Sequence, residues 1–101
     1  MKFADTLKTL PEFEGEKLVL TDASGTEVAS IANAPGTAGS FRVYAHLAQQ
    51  YGAINVEAAA EGLAIFAEHT EDASQHPGKH PNIDRLIAIM TTGSPLDARI
   101  I

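Results

Sequence analysis

Two strand-like segments joined by a short turn place the strongest constraint on how this chain of 101 residues folds. Residues 17–21 and 27–31 are rich in aliphatic and β-branched side chains, which favour extended backbone. Between them, Asp22 suits the first position of a type I turn, and Gly25 can adopt a positive φ. The sequence therefore predicts an antiparallel β-hairpin over residues 17–31.

Four further segments carry apolar side chains at helical spacing. The predicted helices cover residues 3–10, 41–51, 56–73 and 81–92. Ser40 and Asn55 are the expected N-caps of the second and third helices. Gly52 and Gly93 are expected to end the second and fourth helices, and Pro81 fits the first position of the fourth.

The last segment, residues 95–100, alternates in polarity and is predicted to form a third strand. The expected fold is a single α+β domain over residues 1–101, with a small antiparallel sheet of hairpin and C-terminal strand packed against about four helices. Gly62 is expected where two helices approach closely. The side chains expected to be largely buried are Leu63, Phe66, Ile83, Leu86 and Ile87.

Charge and composition exclude several classes of function. The formal net charge is −6, and the seven Lys and Arg residues form no cluster, which argues against binding nucleic acid or anionic membranes. The chain has no Cys, which excludes thiolate metal sites, and no apolar run of about 18 residues that could span a membrane. Asp5 and Lys8 interrupt any signal-peptide pattern, so we expect a cytoplasmic protein without a cofactor.

The histidines near the last helix offer one candidate site. His69, His76 and His80 are separated by few residues and could gather beside Asp72 to hold zinc, nickel or a similar ion. The spacing is not that of a known metal motif, because Pro77 and the following glycine keep His76 and His80 off one helix face. The alternative is structural: His80 or a neighbour caps the last helix, and His80→Asn is then tolerated.

The predicted third helix has an acidic face without Lys or Arg. Its members include Glu57, Glu61, Glu68 and Asp72. Such a face is either simply solvated or a docking surface for a basic protein partner. Self-association as a homodimer, through this face or through a strand edge, is a further form of interaction.

The start of the second helix offers an anion site. Ser40 and Phe41 follow a glycine-bearing loop, so their backbone N–H groups would be free to bind an anion. Arg42 and His46 lie one turn apart and could complete such a site. The Walker lysine is missing, and ordinary helix capping is the alternative interpretation.

Three segments resemble a known family. They are residues 35–44 (Pro-Gly-Thr-Ala-Gly-Ser-Phe-Arg-Val-Tyr), residues 61–70 (Glu-Gly-Leu-Ala-Ile-Phe-Ala-Glu-His-Thr) and residues 77–86 (Pro-Gly-Lys-His-Pro-Asn-Ile-Asp-Arg-Leu). These segments resemble an uncharacterised family of small bacterial proteins, a domain of unknown function. The resemblance implies a stand-alone cytoplasmic protein of bacteria and carries no activity with it. Two functions therefore stay open: a non-enzymatic binding or protein-interaction module, and a metal-binding protein or small enzyme centred on the histidines.

Overall fold

The computed structural model describes residues 2–101, and over this range it contains five helices and three strands. The elements, in chain order, are α1 (Phe3–Leu7), β1 (Lys17–Thr21), β2 (Glu27–Ala32), α2 (Ala38–Tyr51), α3 (Val56–Phe66), α4 (Glu68–Gln75), α5 (Pro81–Thr92) and β3 (Asp97–Ile100). The α+β class is therefore confirmed. Within these residues no helix is long and apolar enough to cross a membrane.

The sheet has the order β2-β1-β3, and both pairings are antiparallel. The predicted hairpin is confirmed, with Asp22 Oδ1 accepting the backbone N–H of Ser24 at 3.0 Å. Leu18 of the central strand lies opposite Ile31 on one side and Ile100 on the other. This alignment gives the sheet one apolar face, and helix α2 contacts all three strands.

Helices α2, α3 and α5 form the second layer, and Gly62 of α3 lies against leucine side chains of both other helices. A Cβ atom at Gly62 would lie 2.7 Å from Leu86 Cδ1 and 2.9 Å from Leu47 Cδ1. The predicted close approach is therefore confirmed. Of the predicted core residues, Phe66, Ile83 and Leu86 are buried, whereas Leu63 and Ile87 are partly buried.

The prediction of one helix over residues 56–73 is wrong, because the helix is interrupted at Ala67. Ala67 has φ +50° and ψ −113°, which no helix contains, so α3 ends at Phe66 and α4 begins at Glu68. The hydroxyl of Thr70 donates to the Leu63 carbonyl oxygen at 2.6 Å and satisfies an acceptor at the end of α3. Helix α4 thereby leaves the direction of α3 and packs against α5.

Helix boundaries differ from the sequence predictions at two more points. Helix α2 begins at Ala38 with Thr37 at the N-cap position, so Ser40 lies in its first turn and is not its cap. Helix α1 ends at Leu7 and is shorter than predicted. The expected helix ends at Gly52 and Gly93 are confirmed, since both glycines have a positive φ.

Candidate functional site

A pocket of about 350 Å³ lies where the N-termini of α2 and α5 meet α1 and the junction between α3 and α4. Its volume is that of a small-molecule site, for which roughly 300–1,000 Å³ is usual. The polar residues of its wall are Thr37, Ser40, His69, Lys79, His80 and Asn82, and the aromatic ones besides histidine are Phe3 and Phe66.

An ionised carboxylate holds His80 in place. Asp72 Oδ2 lies 2.6 Å from His80 Nε2 and 3.0 Å from Lys79 Nζ. The hydrogen bond from His80, and then that from Lys79, lowers the pKa of Asp72 to about 2. Because this ionised carboxylate accepts a hydrogen bond from Nε2–H, His80 Nδ1 is the ring nitrogen left for another partner.

The rings of four side chains form a continuous row beside the pocket. Phe3 stacks on Phe66 with centroids 5.2 Å apart and 28° between the ring planes. His69 meets Phe3 edge-on at 5.5 Å, and the His69 and His80 centroids lie 5.8 Å apart. We call these four side chains the ring row. It joins the apolar side of the pocket to its imidazoles.

Residues from the first turns of two helices line the pocket. Ser40 lies in the first turn of α2 and Asn82 in the first turn of α5, and both residues line the pocket. Neither backbone N–H has an acceptor among residues 2–101. Free N–H groups at a helix start carry partial positive charge, so both helices favour an anion here.

The turn before α5 is fixed by a network that the sequence did not reveal. The Tyr44 hydroxyl donates to the Asn82 carbonyl oxygen and accepts from Arg85 Nη1 at 3.2 Å. Asp84 Oδ2 accepts the N–H of Gly78 at 2.9 Å. Burial raises the pKa of Tyr44 to about 12, so its hydroxyl stays protonated and can donate.

The side-chain capping predicted for α5 is wrong in its details. His80 occupies the N-cap position, but its ring bonds to Asp72 and makes no capping hydrogen bond. Asn82 Oδ1 instead accepts from Arg85 Nη1 at 2.9 Å. Pro81 takes the first helical position, as predicted.

The structure brings only one of the four predicted anion-site residues to the pocket. That residue is Ser40. Phe41 is buried in the core with 1% of its surface exposed. Arg42 donates to the carbonyl oxygens of Leu10 and Pro11 at 2.8 and 2.9 Å, and so ties the segment after α1 to α2.

The fourth residue, His46, belongs to a different cluster. Its Nε2 lies 2.7 Å from Glu61 Oε2, and the Tyr51 hydroxyl donates to Glu61 Oε1 at 2.9 Å. This hydrogen bond raises the pKa of Tyr51. His46 therefore links α2 to α3, and it does not line the pocket.

Two of the three predicted metal-site histidines share the pocket. His69 and His80 line it, whereas His76 has a 60% exposed side chain and touches Asp72 only at 3.8 Å. Over residues 2–101 the structure contains no group of three or more His, Asp or Glu side chains arranged to hold a metal ion. Metal binding stays a prediction that chelation can test.

Three of the four predicted acidic surface residues are engaged within the chain. Glu61 bonds to His46, Asp72 bonds to His80, and Glu68 Oε1 accepts the N–H of Phe3 at 2.8 Å. The bond to the Phe3 N–H lowers the pKa of Glu68. Glu57 on α3 and Glu68 at the start of α4 are both exposed, so docking of a basic partner on this face stays a prediction.

Phe3, Phe66 and Lys79 are among the pocket residues that the sequence did not identify as site residues. Phe3 and Phe66 were interpreted only as apolar positions of helices, since a helical stripe does not distinguish a core ring from a pocket ring. Lys79 lies in the His-Pro-Gly-Lys-His-Pro turn, and that concentration of polar residues was the one signal that could have identified it.

Comparison with known proteins identifies a family but no relative of known activity. The curated proteins contain no match to this chain, and neither do the solved structures. One family model matches residues 3–100. The chain therefore belongs to DUF2322, a family of uncharacterised proteins conserved in bacteria.

Proposed function

We propose that this protein is a non-enzymatic binding module that holds a small anionic molecule in the pocket between the starts of α2 and α5. One observation carries the proposal: residues from the first turns of two helices line the same pocket as Lys79, His69 and His80. Each feature alone is common in proteins. Their convergence on one concave surface is what favours an anion.

The charges around the pocket support the same conclusion. The chain as a whole carries a net charge of −6, yet no carboxylate belongs to the described pocket wall. Asp72 offsets part of the positive charge, since it binds both Lys79 and His80. The Lys79 ammonium group has three N–H donors and gives one to Asp72, so two remain for a ligand.

His69 is the most available donor in the pocket. Its ring packs between Phe3 and His80, and within the described chain neither ring nitrogen takes part in a hydrogen bond. His80 is oriented by Asp72, and its Nδ1 donates to an anion when the ring carries a proton on both nitrogens. One imidazole is thus free and the other fixed, which suits recognition of a ligand with several oxygen atoms.

A titration with inorganic phosphate tests the proposal. We expect the backbone amide signals of Ser40 and Asn82 and the ring signals of His69 and His80 to shift together in two-dimensional NMR spectra. Lys79→Met should weaken binding about tenfold, because it removes a charged donor.

Lys17→Met is the matched control. Lys17 is exposed on β1 and does not line the pocket, so this variant makes the same charge change elsewhere. We expect the control to bind phosphate as the unmodified protein does. An equal loss in both variants would show only a general charge effect, and an absence of shifts at tens of millimolar phosphate would refute the proposal.

A cytoplasmic location and an absence of nucleic-acid binding are part of this proposal. The acidic net charge and the scatter of the Lys and Arg residues support the absence of nucleic-acid binding, and the resemblance to a family of small bacterial proteins supports the cytoplasmic location. We expect no retardation of a DNA or RNA duplex in a gel at physiological salt. Sub-micromolar binding to a generic duplex would contradict this expectation.

Self-association through β2 is a second candidate function. This strand lies at the sheet edge, and Val28 on it is 49% exposed. Its six residues include one charge and no proline, so the irregular pairing at Val28, which has no partner on β1, is its main barrier to pairing with another strand. Light scattering at increasing protein concentration tests it, with Val28→Lys expected to shift any dimer toward monomer.

A further inference from the structure

We infer that the anion bound in this pocket carries a planar aromatic ring, so that the ligand class is a small aromatic carboxylate or aromatic phosphate. The inference rests on the proposed anion site and identifies the part of the ligand beyond its anionic group. It comes from the ring row, which runs along the same pocket as the anion-binding groups.

The ring row gives the pocket an aromatic surface, which an anion without a ring would not contact favourably. Phe3 and His69 are only partly buried, and both line the pocket. Helix α1, which carries Phe3, has no fully buried residue, yet the Glu68 carboxylate binds its first N–H at 2.8 Å. A short exposed helix is thus fixed so that an aromatic ring borders the pocket.

The rings and the anion-binding groups are close neighbours. A Cβ atom at Gly39, in the first turn of α2, would lie 3.4 Å from Phe3 Cζ. Ser40, whose N–H is free, is the next residue along the chain. At the other end of the row, His80 is directly bonded along the chain to Lys79. A ligand that uses both surfaces therefore carries its anionic group directly on the ring or through a single linking atom.

The pocket volume agrees with a ligand of this size. About 350 Å³ is at the lower end of small-molecule sites and accommodates one ring and one anionic group rather than a long chain. Aromatic rings pack against one another edge-on or offset, and the 5.5 Å edge-on contact of His69 with Phe3 shows that the row already adopts such geometry.

The test compares ligands that share one anionic group and differ in the ring. Benzoate is compared with cyclohexanecarboxylate, and phenyl phosphate with inorganic phosphate, by the same NMR titration. We expect each aromatic ligand to bind roughly two- to tenfold more tightly than its non-aromatic counterpart. Ring-current shifts should appear on the side-chain signals of Phe3, His69 and His80.

Two variants assign the gain to the ring row. Phe3→Leu keeps an apolar side chain and removes the ring, so it should bring the affinities for benzoate and cyclohexanecarboxylate to the same value. Phe13→Leu is the matched control, because Phe13 is also partly buried but lies outside the described pocket wall. We expect the control to retain the preference.

The outcomes separate this inference from the proposed function. The inference is supported if benzoate or phenyl phosphate binds more tightly than its non-aromatic counterpart and if Phe3→Leu loses this preference. The relative affinities of benzoate and phenyl phosphate then show whether the site favours a carboxylate or a phosphate. Equal binding of benzoate and cyclohexanecarboxylate, with phosphate still bound at the pocket, overturns the inference alone. Benzyl alcohol binding as tightly as benzoate, or no binding of any anion, overturns the proposed function with it.

Discussion

Substitution of Gly62 by alanine should reveal how closely α3 and α5 approach each other. In an open helix, Gly→Ala stabilises by about 1 kcal/mol. Here the new methyl group would lie 2.7 Å from Leu86 Cδ1 and 2.9 Å from Leu47 Cδ1, and both leucines are completely buried. Overpacking of this kind costs about 1–3 kcal/mol, so we expect a net loss of about 1 kcal/mol in the free energy of unfolding.

The same substitution should have the opposite effect when Leu86 is shortened. Leu86→Ala alone should cost about 2–5 kcal/mol, because it leaves a cavity in the core. In that background the nearest clash is gone, and Leu47 can move into the vacated space. Gly62→Ala should then stabilise by about 1 kcal/mol, which gives a coupling of about 2 kcal/mol between the two positions, within the range of contacting residues.

Urea unfolding followed by circular dichroism measures all four proteins of this cycle. Unchanged slopes of unfolding free energy against urea would show that only stability differs. Thermal melts should agree, with about 4–8 °C for each kcal/mol. If Gly62→Ala stabilised both backgrounds equally, the close helix approach inferred from the structure would be refuted.

Three further outcomes follow from the pocket and its supports. The pKa of Asp72 is lowered to about 2 from 3.8, so its contribution to stability is complete above about pH 5 and is lost as the pH falls through 2. Asp72→Asn should therefore be less stable than the unmodified protein at pH 7, and urea titrations should show this difference shrinking steadily as the pH is lowered to 2 and below. His80→Asn should also reduce stability at pH 7, contrary to the capping interpretation, but it should add no loss in the Asp72→Asn background. Pro81→Gly should cost about 0.4–1 kcal/mol in either background through its effect on the unfolded chain. A chelator should leave the melting temperature of protein purified without a histidine tag unchanged, and a fall of several degrees would establish a bound metal.

The patterns that predicted the fold correctly were local ones. The hairpin followed from two short apolar runs around Asp22 and Gly25, and the helix ends followed from Gly52 and Gly93. In each case a few neighbouring residues determine the backbone, because turn and cap geometry depend on φ and on side chains within reach of their own backbone. Local rules of this kind need no knowledge of the distant chain.

The partners of the polar side chains could not be predicted in the same way. Arg42 binds carbonyl oxygens 31 and 32 residues away, and Glu68 binds the N–H of Phe3 across 65 residues. The helical spacing of Arg42 and Glu68 predicted both side chains at surfaces where a ligand or partner could reach them. Which carboxylate meets which donor depends on how the helices are placed, and the spacing within one helix does not contain that information.

The interruption of the helix at Ala67 is the main reason why the pocket could not be predicted from the sequence. Helical periodicity continues through residues 56–73, and nothing in the residue types marks an interruption. A non-glycine residue at φ +50° and ψ −113° costs of order 1–3 kcal/mol, so the surrounding packing must hold it there. In a continuous helix, His69 and Asp72 would lie further along the axis of α3. In the structure, the interruption at Ala67 places His69 against Phe3 and Asp72 against His80. The pocket, the orientation of His80 and the ring row therefore all depend on one locally unfavourable residue, which is the kind of feature that sequence patterns are least able to predict and that sites in proteins often contain.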